Sequence, residues 1–191
     1  MKNIWLLRPH KKIGHYIYKS LSKKYNVSLL TTNKFNLSKF KKKNQNSDFL
    51  INEEILNLSL VKNNYLKYDL PDDYTFKELY IAMQVLERNE RKNKEISFEE
   101  RNYLVFKQYN FWKSKIEKKR PNCVIFFDIP HMYYELVLLG LLKNKKIPVI
   151  ILNIDYGFSF FLDGNFQPIN LGKGKNFNQI KNDYLYSIFK N

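Results

Sequence analysis

The sequence predicts an α/β protein with a Rossmann-like parallel sheet and helices on both faces. Three observations carry that expectation. The short apolar runs Ile4-Trp5-Leu6-Leu7 and Val124-Ile125-Phe126-Phe127 read as strands buried on both sides, not as half-exposed ones. Each is followed by residues at helical spacing and then by another apolar run, which makes two β-α-β units. Hydrophobic residues at 44% and aromatics at 16% of 191 residues supply a core, so the chain folds instead of staying disordered.

In chain order, Ile4–Leu7 is the first strand. Ile13, Tyr16, Ile17, Ser20 and Leu21 then recur on one helix face, and Val27–Thr31 is the second strand. Residues 33–48 are polar and lysine-rich and predict a loop with a weak helical turn. One or two short strands are expected beyond it, at Phe49–Ile51 and Ile55–Leu58. Thr75-Phe-Lys-Glu78 and Ser97-Phe-Glu-Glu100 are capping boxes, which satisfy free backbone donors at helix starts. The first opens a helix through Leu79, Met83 and Leu86 toward Arg88. The second opens a long helix ending near Lys118, whose stripe of Tyr103, Phe106, Tyr109 and Trp112 is expected to face the core. Pro121-Asn122 breaks into the strand Cys123–Phe127. A helix over Met132–Leu142 and the strand Val149–Leu152 complete the second unit. From Asn153 onward, aromatics mix with turn residues, and Ile180, Tyr184, Ile188 and Phe189 suggest a last short helix. Residues 1–170 are thus expected to form one domain and residues 171–191 a helical tail.

The net charge of +15 invites a nucleic-acid reading. The residue types weaken it, because 28 of the 33 basic residues are lysine and bidentate base contacts favour arginine. One alanine amid abundant Lys, Asn, Ile and Phe fits an AT-rich coding bias. A preference for anionic ligands or an anionic membrane surface stays compatible with the charge. The single Cys123 excludes an internal disulfide, and no apolar stretch reaches a membrane span, so a cytoplasmic or peripheral protein is expected. Gly172-Lys173-Gly174-Lys175 lacks the spacing of a phosphate-binding P-loop.

The candidate site follows from strand ends. Ligands of open α/β sheets sit outside the carboxyl ends of the strands, where strand order reverses. If the two runs are neighbours, His10, His15 and His131 all face one crevice. Arg8, His10, Lys12 and Gly14 precede or open a helix whose amino end favours an anion. His15 or His131 can act as a general base toward a hydroxyl, and Asp128 beside His131 would hold its tautomer. The competing reading makes Asp128 a helix cap and the histidines structural. No histidine pair has metal-ligand spacing on a helix, so no metal is expected.

The segment from the long helix through Trp112-Lys113 and Pro121-Asn-Cys-Val-Ile-Phe-Phe-Asp-Ile-Pro-His131, then Tyr133-Tyr134 and Val149–Leu152, resembles bacterial capsular or surface polysaccharide biosynthesis proteins. Leu86-Glu87-Arg88 and Asn153-Ile-Asp155-Tyr156-Gly157 fit the same pattern. These proteins look like glycosyltransferases of the two-domain GT-B type. The resemblance implies an acceptor-side domain with His15, His131 and Asp128 at the chemistry and Arg8, His10, Lys12, Gly14, Asp155 and Tyr156 on the substrate. It implies a saccharide acceptor and no cofactor held in this chain. A sugar nucleotide would be co-substrate on a donor-binding domain expected beyond this chain, which makes the chain a truncated product, one half of a split enzyme, or an acceptor-binding module. A non-catalytic saccharide- or anion-binding module is the alternative, and a nucleic-acid binder a more distant one.

Overall fold

The computed structural model describes residues 1–9, 11–41, 47–56, 73–90, 96–155 and 158–167. Its elements are β1 (Asn3–Leu7), α1 (Lys11–Leu21), β2 (Asn26–Thr32), α2 (Leu37–Lys41), β3 (Asp48–Ile51), α3 (Asn52–Leu56), α4 (Asp73–Glu90), α5 (Phe98–Lys119), β4 (Cys123–Phe126), α6 (Tyr133–Asn144), β5 (Val149–Asp155) and β6 (Phe158–Asp163). A single 3₁₀ turn, Lys34–Asn36, leads into α2. The six strands form one sheet in the order β3-β2-β1-β4-β5-β6. Every pair is parallel except β5–β6. From β1 the chain winds one way through α1 to β2. From β4 it winds the other way through α6 to β5, so right-handed crossovers place α1 and α6 on opposite faces.

Alternation along the strands explains the continuous apolar runs. Trp5, Leu7, Val124 and Phe126 pack with α4, α5 and α6 on one face. Ile4, Leu6, Cys123, Ile125 and Phe127 pack with Ile17, Tyr18 and Leu21 of α1 on the other. Each fully buried aliphatic side chain contributes about 1.5–3 kcal/mol, so both layers are needed. Cys123 is wholly buried, and burial pushes its thiol up to about 12, which makes it core and not a nucleophile. On α5, Tyr109 and Trp112 are buried and Trp112 lies 6.2 Å from Trp5, whereas Tyr103 at the same stripe's start is exposed.

Several expectations change. Ile55 lies in α3, not in a second strand, and Leu58 falls outside the described residues. The reason is tertiary: Gln108 Nε2 donates to the Ile55 carbonyl (2.6 Å) and the Tyr133 hydroxyl donates to that of Leu56 (2.8 Å). These side chains of α5 and α6 satisfy the carbonyls that a five-residue helix leaves open. Thr75 is not a cap, because α4 already begins at Asp73. Ser97 is one, with the reciprocal Ser97–Glu100 bonds in place (3.2 and 3.0 Å). Beyond Asn153, β5 continues to Asp155 and β6 returns antiparallel, a hairpin hidden by its mixed composition. The expected last helix and the tail 171–191 lie outside the described residues. Among the described residues, no helix is long and apolar enough to cross a membrane.

Candidate ligand-binding site

The parallel strands all end at one edge, and β1 and β4 flank the point where strand order reverses. The residue after β1, Arg8, has φ 55°, a left-handed conformation that costs a non-glycine residue about 1–2 kcal/mol. Its amide compensates by donating to the carbonyl and the hydroxyl of Thr31 (3.1 and 3.0 Å). This backbone turn sends the Arg8 side chain across β4 toward α6. There Nη1 lies 3.0 and 3.3 Å from the two oxygens of Glu135, and Nη2 lies 3.7 Å from Asp128 Oδ2. Burial works against the guanidinium charge, but the charge and hydrogen bonds of Glu135 outweigh it and raise its pKa above the ordinary arginine value.

Glu135 organises the site. Its side chain is only 3% exposed. Besides Arg8, its Oε2 accepts from the amides of His131 (3.2 Å) and Met132 (3.1 Å) at the start of α6. It therefore satisfies two amides at the approach to that helix and neutralises Arg8 at once. Sequence reasoning missed it because Met132, three residues earlier, is no capping residue. The available signal was an acid in the first turn after a strand end.

Asp128 and His131 lie together as expected, but their roles differ from the expectation. Asp128 Oδ1 accepts from the Ile129 amide (2.8 Å), and its Oδ2 is 3.9 Å from His131 Nδ1. The closer partner of Nδ1 is the Ile129 carbonyl, at 2.8 Å. A carbonyl only accepts, so Nδ1 carries the hydrogen and the backbone, not Asp128, holds the tautomer. In the neutral imidazole Nε2 then keeps a lone pair, and it lies 3.4 Å from Arg8 Nη1.

Beside this cluster is a cleft of about 210 Å³ lined by Arg8, Pro9, Thr32, Asn33, Asn36, Asn52 and Asp128. The lining comes from the carboxyl ends of four adjacent strands, β3, β2, β1 and β4. Asn33 caps the 3₁₀ turn by accepting from Asn36 N (2.9 Å). Asn52 Oδ1 is buried without a hydrogen-bond partner among the described residues. No local signal marks these asparagines, because uncharged carboxamides after β2 and β3 read as ordinary turn residues.

The other expected residues are placed differently. Lys11 to His15 form the first turn of α1. The His15 ring packs, tilted, 5.5 Å from the Phe40 ring of α2 and 6.5 Å from that of Tyr18. Gly14 is a packing position: a Cβ there would lie 2.8 Å from the Pro9 carbonyl carbon. The Gly14 site thus lets α1 approach the strand-end turn. His10, Tyr156 and the side chains of Lys12 and Asp155 lie outside the described residues. Among the described residues no cluster of His, Cys, Asp or Glu could hold a metal ion.

Fold and site together define a doubly wound α/β protein with a polar cleft at the carboxyl edge of its sheet. No protein-family model matches the chain, and neither a curated protein nor a solved structure matches it.

Proposed function

We propose that the cleft binds hydroxyl groups of a saccharide, and that the chain serves as the acceptor side of a sugar-nucleotide-dependent glycosyltransferase of surface polysaccharide synthesis. One observation carries the reading: a carboxylate, three carboxamides and a threonine converge on one cleft at the strand ends. Carboxamides offer both donors and acceptors, and a carboxylate accepts from hydroxyls, which matches a polyol. Charge supports the same choice. Although the chain carries +15, Arg8 is offset here by Glu135 and Asp128, so the cleft is not an anion trap. Its volume of about 210 Å³ is below the roughly 300–1,000 Å³ of drug-sized ligand pockets. That suits one sugar ring, with the sugar nucleotide held by a donor-binding partner domain.

In this reading Asp128 takes the acceptor hydroxyl as a hydrogen bond, and His131 supplies the proton acceptor at Nε2. Saturation-transfer NMR with a panel of neutral mono- and disaccharides tests the binding step. Asp128→Ala is expected to weaken binding about tenfold to a hundredfold, the worth of one hydrogen bond to a charged group. No saccharide bound by the wild type would sink the proposal. A second reading, a non-catalytic saccharide-binding module, draws on Arg8 Nη1 lying 3.4 Å from the nitrogen that would accept the proton. With a donor-domain partner and sugar nucleotide present, turnover abolished by His131→Ala but not by His15→Ala supports the transferase. Binding without turnover supports the module.

A further inference from the structure

The edge of the sheet opposite the cleft is where β1, β2, β4 and β5 begin and where α1, α5 and α6 end. Hydrogen bonds place these segments side by side. Asn26 N donates to the Lys2 carbonyl, Asn122 N to that of Asn3, Asn3 Nδ2 to that of Lys119, and Val124 N to that of Pro148. Three turns on this edge present exposed cations in pairs: Lys23 and Lys24 between α1 and β2, Lys118 and Arg120 at the exit of α5, and Lys145 and Lys146 between α6 and β5.

Among residues whose side chains are described, the carboxyl edge carries Glu53, Glu54, Asp128 and Glu135 against Arg8 and Lys34. At the amino edge the acids whose side chains are described are Glu117, Asp163, and Asp48, which is already bound by Lys115 and Lys119. Three helix carboxyl ends account for only about one and a half negative charges, at roughly half a charge each. They do not neutralise six cations.

Backbone conformation is a second, independent observation. Arg120 and Lys146 have φ 43° and 53°, in the left-handed region where helix ends ordinarily carry glycine or asparagine. Long cationic side chains stand at two positions whose local conformation disfavours them.

We infer that this amino edge docks on a membrane surface bearing anionic lipid headgroups, leaving the cleft at the far edge open to solvent. Clustered lysine suits the diffuse potential of a lipid surface, whereas bidentate base or phosphate recognition favours arginine, of which the six include only Arg120. The inference does not depend on what the cleft binds.

Co-sedimentation of the full chain with vesicles at low and high salt tests it, using phosphatidylcholine alone and with roughly three lipids in ten replaced by phosphatidylserine. The chain is expected to sediment with the phosphatidylserine vesicles at low salt, to leave them at high salt, and to ignore phosphatidylcholine. Lys23→Glu/Lys145→Glu should weaken binding by at least about tenfold, since each basic residue near such a surface is worth roughly fivefold. Lys34→Glu/Lys107→Glu removes the same charge elsewhere and should leave most binding intact. Circular dichroism confirms that both variants fold. Equal loss from both pairs, no binding to phosphatidylserine vesicles, or tighter binding to duplex DNA than to those vesicles overturns the inference.

Discussion

Glu135 links three things at the residue scale: the charge of Arg8, the first amides of α6, and the position of His131. Removing one partner of a buried ion pair leaves the other uncompensated, at about 3–5 kcal/mol, whereas replacing both by apolar groups is often nearly neutral. Glu135→Ala is therefore expected to destabilise the fold by about that amount in urea titrations, and Arg8→Met with Glu135→Leu to cost clearly less. A double variant as unstable as the sum of the singles would show that the pair is not coupled. None of this was readable from residue 135 alone. Arg8 and Asp128 were legible as strand-end residues, but the carboxylate that holds Arg8 most closely is 127 positions from it and meets it only through the β1–β4 pairing.

At the scale of elements, the edge strand β3 is held by more than its pairing with β2. Asp48 at its start lies 3.1 Å from Lys115 Nζ and 3.2 Å from Lys119 Nζ of α5. Partial burial opposes ionisation, but the two lysine hydrogen bonds and charges outweigh it and hold the carboxyl below its ordinary pKa. A carboxyl whose pKa is lower in the folded state adds stability above its unfolded value of about 4, and that stability is lost as pH falls through the folded value. Asp48→Asn should thus lower stability near neutral pH by about 0.5–1 kcal/mol, because the group is a third exposed. The difference from wild type should shrink below about pH 4. A pH-independent difference in thermal unfolding would contradict the assignment. The same scale shows where local reading stopped. The Ser97 box marked its helix start because both partners lie within one turn. The apolar residues around Ile55 suited a strand until Gln108 and Tyr133 capped them as a helix.

Over the whole molecule, the +15 of net charge repels itself and works against the compact state. Raising salt from about 0.01 to about 0.1 M shortens the screening length from about 30 to about 10 Å, so Tm should rise over that interval. A falling Tm would mean that surface ion pairs outweigh the repulsion. By itself the sequence determined the class of fold, the order of its central strands and helices, and the edge at which a site would form. Apolar runs and helical periods are local properties of the chain, and the strand-end rule needs no more. Only the tertiary structure decided that α3 is a helix, that β6 pairs with β5, that His15 packs on Phe40, and that the asparagines just after β2 and β3 share a cleft with Arg8 and Asp128. Each of those outcomes depends on a hydrogen bond or contact with a segment distant in sequence, and such contacts leave no period in the chain.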